Sequence, residues 1–159
     1  MLFSMKNKIV LITGGSTGIG RASAIAFSRE GSKVIIADLN VDEGNNTVNM
    51  IEKTGGEAVF VEADVSKAKA VESLIDNIVN QYGRLDCAVN NAGVVGEQAL
   101  TADCTEDNWD NVIGVNLKGT WLCMKYEIRQ MLKQGNGSIV NISSVTGSVG
   151  YPSLPAYVT

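Results

Sequence analysis

No histidine occurs in the 159 residues. A Ser-His-Asp triad, a Cys-His pair and a His-ligated zinc site are therefore excluded within this chain. Any acid–base group that works near neutral pH must be a carboxylate, Lys, Tyr or Cys with a shifted pKa. Cysteine is sparse: Cys87, Cys104 and Cys123 form no CxxC pair. An odd, dispersed set reads as reduced thiols and not as a disulfide framework. No apolar stretch approaches the ~20 residues of a membrane span. There is no surplus of positive charge, since 13 Lys and Arg face 17 Asp and Glu, for a net −4. The basic residues are scattered, which argues against a nucleic-acid partner. The segment from Met1 to Lys6 is too short for a secretory signal, so a cytoplasmic location without membrane attachment is expected.

What is present is ordinary for a soluble globular domain, with 45% hydrophobic and 19% charged residues. The length suits a single domain over 1–159 with a real core. Short apolar runs alternate with amphipathic stretches. Strands are expected at Ile9–Ile12, Val34–Ala37, Ala58–Val61, Leu85–Val89 and Ser138–Ile142. Helices are expected at Arg21–Glu30, at Val41–Lys53, from a Ser66 cap to Tyr82, in one long run from about Thr105 to Gln134, and again after Pro155. Strands this apolar are buried on both faces, as in a parallel sheet between helix layers. The alternation gives an α/β doubly wound fold.

Between the first strand and helix lies Thr13-Gly14-Gly15-Ser16-Thr17-Gly18-Ile19-Gly20. Its spacing is GxxxGxG. Such a turn either satisfies tight sterics or lets backbone N–H groups and a helix N-terminus meet a pyrophosphate, and its position favours the second reading. Asp38 closes the second strand eighteen residues past Gly20, where a dinucleotide fold places the carboxylate for the ribose hydroxyls. A carboxylate there repels a 2′-phosphate. Leu39, Ser16 and Thr17 supply no cation for one, so NAD is favoured over NADP. Ser144 and Tyr157 stand thirteen positions apart. A hydroxyl and a phenol suit a reaction that polarises and protonates a developing alkoxide.

With Asp64-Val65 after the third strand, Asn90-Asn91-Ala92-Gly93 after the fourth, Asn116 in the long helix and Ser143-Ser144 after the fifth, these motifs resemble the short-chain dehydrogenase/reductase family over essentially the whole length. The resemblance implies a Rossmann-like fold and hydride transfer between NAD(H) and a small-molecule substrate. It also implies roles. Gly14, Ser16, Thr17, Gly18, Ile19 and Gly20 would cradle the pyrophosphate, with Asp38 and Leu39 at the ribose. Asp64 and Val65 would meet the adenine, while Asn91, Ala92, Gly93 and Tyr157 would line the rest of the cofactor. Tyr157 would be the acid/base, Ser144 would orient the substrate oxygen, and Asn116 would hold a water in a proton relay. The family's lysine four residues after the tyrosine falls beyond Thr159, and so do two further strands. The resemblance thus implies a C-terminally truncated chain, inactive alone, with its fifth strand left as a sheet edge.

The segments expected to face substrate, Val94–Leu100 and Val145–Leu154, carry only Glu97 as a charge, which points to a neutral alcohol or ketone. A non-catalytic nucleotide-binding module or a scaffold subunit is the alternative, though neither needs Ser144 and Tyr157. Trp109, Trp121, Met124 and Tyr126 exceed what one helix face needs against a sheet, though a core reading covers at least half of them, and the resemblance implies a homodimer or homotetramer through the helix from Thr105 and the one begun near Pro155.

Overall fold

A computed structural model describes residues 4–159, so Met1 to Phe3 of the leading segment lie outside the described residues. Five strands, β1 (Ile9–Thr13), β2 (Lys33–Asp38), β3 (Glu57–Glu62), β4 (Cys87–Asn90) and β5 (Ser138–Asn141), form one parallel sheet in the order β3-β2-β1-β4-β5. The order reverses direction at β1. The C-terminal ends of β1 and β4 therefore diverge from the crossovers and open a crevice there. The doubly wound α/β fold expected from the alternation is the fold observed.

Strand pleating explains the core. Ile9 and Leu11 point to one face with Ile35 and Ala37, where they meet α3 (Ala68–Tyr82) and α5 (Thr120–Gln134). Val10 and Ile12 point to the other with Val34 and Ile36, against α1 (Gly18–Arg29) and α2 (Val41–Glu52). β1 is buried on both sides along its whole length. Each fully buried Val, Leu or Ile contributes roughly 1.5–3 kcal/mol relative to exposure. β1 therefore anchors both layers, and the turn that follows it inherits a rigid origin.

Three local expectations change. Ser66 does not cap α3. The Asp64 carboxylate accepts from the Ser66 N–H (2.9 Å), and Lys67 takes the cap position without a side-chain bond. The short aspartate side chain competes for the backbone in a turn, which delays the helix. The long helix is real but not uniform: α4 (Glu106–Ile113) passes through a π-helical stretch, Gly114–Gly119, before α5 begins. Thr105 caps α4 by accepting from Asn108 N–H (3.2 Å). After Pro155 only a single turn forms, with the Tyr157 and Val158 N–H groups both donating to Leu154 O.

Of the four residues that exceed one face of the long helix, Tyr126 is in the core while Trp109 and Trp121 are exposed. Lys125 lies 5.5 Å from the Trp121 ring centre. β5 is an edge strand of this sheet, and Val140 and the adjacent Ile142 are exposed.

Candidate active site

The glycine turn is shaped by contacts that a side chain would destroy. Gly14 has φ 63° and Gly18 φ 53°, both in the left-handed region that favours glycine. A Cβ on Gly20 would collide with the Gly14 carbonyl and lie 2.6 Å from Asn91 Nδ2. The start of α1 thus sits directly on the end of β1. The first α-helical bond runs from Arg21 N–H to Thr17 O (3.0 Å), so the N–H groups of Gly18, Ile19 and Gly20 precede the ladder. Thr17, Gly18 and Ile19 are exposed, whereas Ser16 is buried and its N–H donates to Asp38 Oδ2 (3.1 Å). An exposed helix N-terminus without side-chain caps carries partial positive charge and free donors.

Asp38 is held at the end of β2 by two backbone donors, Ser16 N–H and Asn40 N–H (3.1 Å each). Each carboxylate oxygen keeps further acceptor capacity. Leu39 beside it is exposed. A cation does stand near this loop, contrary to what the loop residues alone suggest. Arg21, one turn into α1, donates to Ser16 O and pairs with Glu43, and its Nε donates to Thr47 Oγ1 (2.8 Å). The Arg21 guanidinium holds the Glu43 carboxyl below the usual range, with help from Asn46. Arg21 is thus committed to latching α1, the turn and α2 together.

At the end of β4 the two asparagines divide the work. Asn91 Nδ2 donates to Thr13 O (3.1 Å) and Gly14 O (3.0 Å), while the N–H groups of Asn91 and Ala92 both donate to Thr13 Oγ1 (3.1 Å). Asn91 therefore splints the glycine turn against β4. Asn90 turns the other way, to Glu127 and Asn141.

Asn116 lies within the π-helical stretch. Its side chain makes a two-bond clasp on Val94, accepting from the N–H and donating to the carbonyl at 2.8 Å each. Its own carbonyl accepts from Thr120 Oγ1 (2.8 Å). π-bulges inside α-helices recur at functional sites because they turn a carbonyl and a side chain out of register. Asn108 holds the same loop further on, bonding the Glu97 backbone in both directions (2.9 and 3.2 Å). Nothing in the local pattern marked Asn108, because a polar residue on a helix otherwise reads as solvated surface.

Ile19, Asn91 to Gly93, Asn116, Ser144 and Tyr157 line one open cleft of about 390 Å³ at the C-terminal end of the sheet. Ser144 follows β5 and its Oγ accepts from Thr146 N–H (3.2 Å) and Thr146 Oγ1 (2.9 Å). Tyr157 is half-buried in the turn after Pro155. The Ala99 N–H donates to Ser153 O (2.9 Å), which ties the two loops that flank the cleft. Asp38, Leu39, Asp64 and Val65 are not in its lining; they lie further along the strand ends. Val65 is buried, and a Cβ on Gly119 would press within 2.9 Å of it, which gives Val65 a packing role under the π-helical stretch.

A model of the short chain dehydrogenase family matches residues 8–159. An uncharacterized oxidoreductase of Thermotoga maritima is 42% identical over 97% of this chain and 60% of its own length. The 3beta-hydroxysteroid dehydrogenase of Mediterraneibacter gnavus is 43% identical over 95% of this chain and 54% of its own. Among solved structures, NAD+-bound xylitol dehydrogenase superposes with a TM-score of 0.94 at 31% identity, over 98% of this chain and 60% of that one. The chain therefore spans a little over half the length of these relatives. Among the described residues no helix is long and apolar enough to cross a membrane.

Proposed function

The chain belongs to the short chain dehydrogenase family, and on that premise we propose an oxidoreductase that moves a hydride between NAD(H) and a neutral secondary alcohol or ketone. The observation that carries this reading is the cleft. One concavity gathers the start of α1, the Asn91–Gly93 turn, Ser144 and Tyr157 from four separate parts of the sequence.

The residues present fit the cofactor. The exposed Thr17-Gly18-Ile19 amides offer donors to a pyrophosphate, with open space beside Gly18, while the missing Cβ at Gly14 lets the turn pack against Asn91 and Ala92. Asp38 offers lone pairs to ribose hydroxyls and repels a 2′-phosphate. Arg21 is too engaged with Glu43 and Ser16 to offset that repulsion. NAD-bound xylitol dehydrogenase, with the same fold, is consistent with this choice. NAD(H), when bound, supplies the hydride acceptor or donor. Asp64 and Val65 would flank the adenine.

At the other end, the Ser144 hydroxyl would donate to the substrate oxygen, and Tyr157 would give or take its proton. A free phenol has a pKa of about 10, so Tyr157 needs a cation beside it to act near neutral pH. The family resemblance supplies one as a lysine four residues later. Asn116 would steady the loop over the site through Val94 and take part in the relay. The exposed Trp109 and Trp121 support association of two or four copies through α4 and α5.

Titrating the intact protein with NAD and NADP, followed by a turnover screen of secondary alcohols, tests the proposal. Preference for NAD with NAD-linked oxidation of at least one alcohol is expected. Equal affinity for the two cofactors would remove the role given to Asp38.

A further inference from the structure

Glu127 is the most deeply buried carboxyl group among the described residues, with no exposed surface, and none of the ion pairs there reaches it. It lies on α5 above the point where β4 and β5 end. Its Oε2 accepts from Asn90 Nδ2 (3.0 Å), and the same Nδ2 donates to Asn141 Oδ1 (2.9 Å). Asn90 and Asn141 are direct partners in the β4–β5 register. Two buried side-chain atoms among the described residues have no hydrogen-bond partner: Asn90 Oδ1 and Glu127 Oε1. They belong to the same two side chains. Both are acceptors, so neither can satisfy the other while Glu127 is ionised, and leaving two buried polar atoms unpaired is costly.

One proton removes both deficits. We propose that Glu127 is a neutral acid in the native protein, donating from Oε1 to Asn90 Oδ1, so that acid and amide close a cyclic two-bond pair. The second hydrogen of Asn90 Nδ2 stays on Asn141. The pair makes α5, β4 and β5 one hydrogen-bonded unit at the strand ends that carry Asn91–Gly93 and Ser143–Ser144. Glu127 is thus a positioning residue: it lines no part of the cleft and acts through the strands.

The surroundings agree. Burial pushes the Glu127 carboxyl up to about 7, against the opposing bond from Asn90. α3 packs on α5 with Val71, Leu74, Ile75 and Ile78, none of them titratable. On this side β4 and β5 present the two asparagines together with the apolar Ala88 and Ile139. Cys123, one turn earlier on α5, is pushed up chiefly by burial, so it stays neutral. With no histidine in residues 1–159, no other side chain among them ordinarily titrates between pH 5.5 and 7.5.

The test uses the intact protein, wild type beside E127Q and E127M. Glutamine reproduces the neutral acid's pattern, accepting on its oxygen and donating from its nitrogen. Methionine fills the space but leaves the Asn90 amide without either bond. Infrared spectra at pH 5.5 should show a protonated-carboxyl band that is absent from E127Q. The advantage of E127Q over wild type in urea midpoint should widen from pH 5.5 to pH 8, because wild type loses stability as Glu127 is forced to ionise while E127Q does not, and E127Q should exceed E127M at both. Two results would overturn the proposal. One is the absence of the acid band. The other is E127Q destabilised as much as E127M, with wild type flat across this pH range; that would mean an ionised Glu127 bridged to Asn90 by a buried water. Neither result bears on the cofactor, so the oxidoreductase reading stands or falls separately.

Discussion

Replacing Gly20 by alanine adds one methyl group at the third position of α1. In an open helix that change stabilises by roughly 1 kcal/mol, because alanine loses less backbone entropy than glycine. Here the new Cβ would collide with the Gly14 carbonyl oxygen and sit 2.8 Å from the Gly14 carbonyl carbon and 2.6 Å from Asn91 Nδ2. None of these can swing aside. Gly14 is backbone, and Asn91 is held by two carbonyls, at 3.1 and 3.0 Å. Relief needs a backbone shift that separates α1 from the end of β1 and loosens the Asn91 splint. Overpacking of this kind costs about 1–3 kcal/mol, occasionally more, and losing one buried side-chain bond adds about 1 kcal/mol. The loss therefore exceeds the helix-propensity gain, and a net destabilisation of about 2 kcal/mol is expected. With a urea dependence of about 1–3 kcal/mol per molar, the midpoint should fall by roughly 1 M. Nucleotide affinity should fall more steeply than stability, because the same shift moves the amides of Gly18 and Ile19. Gly18→Ala is the control: nothing lies within 4 Å of its Cβ, so only the left-handed backbone is strained, for about 1–2 kcal/mol. Urea melts and calorimetric NAD titration of the intact variants decide the matter. A Gly20→Ala protein that melts and binds as wild type would refute the argument that close approach, and not flexibility, is what the turn requires.

Other expectations follow from the same contacts. Asp38→Ala with Leu39→Arg should narrow or reverse the preference for NAD in paired titrations; an unchanged preference would mean another group selects the cofactor. Glu43→Gln should release Arg21 and by itself raise NADP affinity, and no gain would show that the pairing is only structural. Asp86 is buried, and burial alone would raise its carboxyl. The Ile9 amide (2.9 Å), Arg84 and Lys8 outweigh burial and hold it below the usual carboxylate range. Because the folded value is depressed, the stability it contributes is present above about pH 4 and lost as pH falls through the folded value. Asp86→Asn should cost about 2 kcal/mol at pH 7 and flatten the acid limb of a pH–stability curve. If the exposed Trp109 and Trp121 mark an interface, the intact protein should sediment as a dimer or tetramer at micromolar concentration, and a monomer would count against that association.

The fold was legible because its signals are local. Apolar runs such as Ile9–Ile12 and Val34–Ala37 declare buried strands by composition, and Gly83 and Gly135 end their helices in the left-handed conformation. The glycine turn, Asp38, Ser144 and Tyr157 stand out as candidates by type and spacing, and the structure brings Ile19 of that turn, Ser144 and Tyr157 to one cleft. What escaped was the partner of each polar side chain, which depends on tertiary register. Arg21 looked like one more charge on a helix, yet it spans from Ser16 to Glu43 across three elements. Glu127 sits in an amphipathic stretch where a glutamate reads as solvent-facing; only the packed sheet shows it facing Asn90. The Ser66 cap failed because Asp64, two residues earlier, offered a competing bond to the same backbone. The π-helical stretch Gly114–Gly119 carries no proline to announce it, and the clasp of Asn116 on Val94 that accompanies it is a tertiary contact.

The central claim is that this fold holds NAD(H) against a Ser144–Tyr157 pair that moves the proton. The most direct measurement compares wild-type and Tyr157→Phe forms of the intact protein in single turnover, with NAD affinity measured in parallel. The account predicts near-unchanged NAD binding and a rate of NADH formation reduced by at least 10²-fold, the range that a positioned acid/base contributes. Near-normal turnover by Tyr157→Phe would contradict it, because the proton would then come from another group.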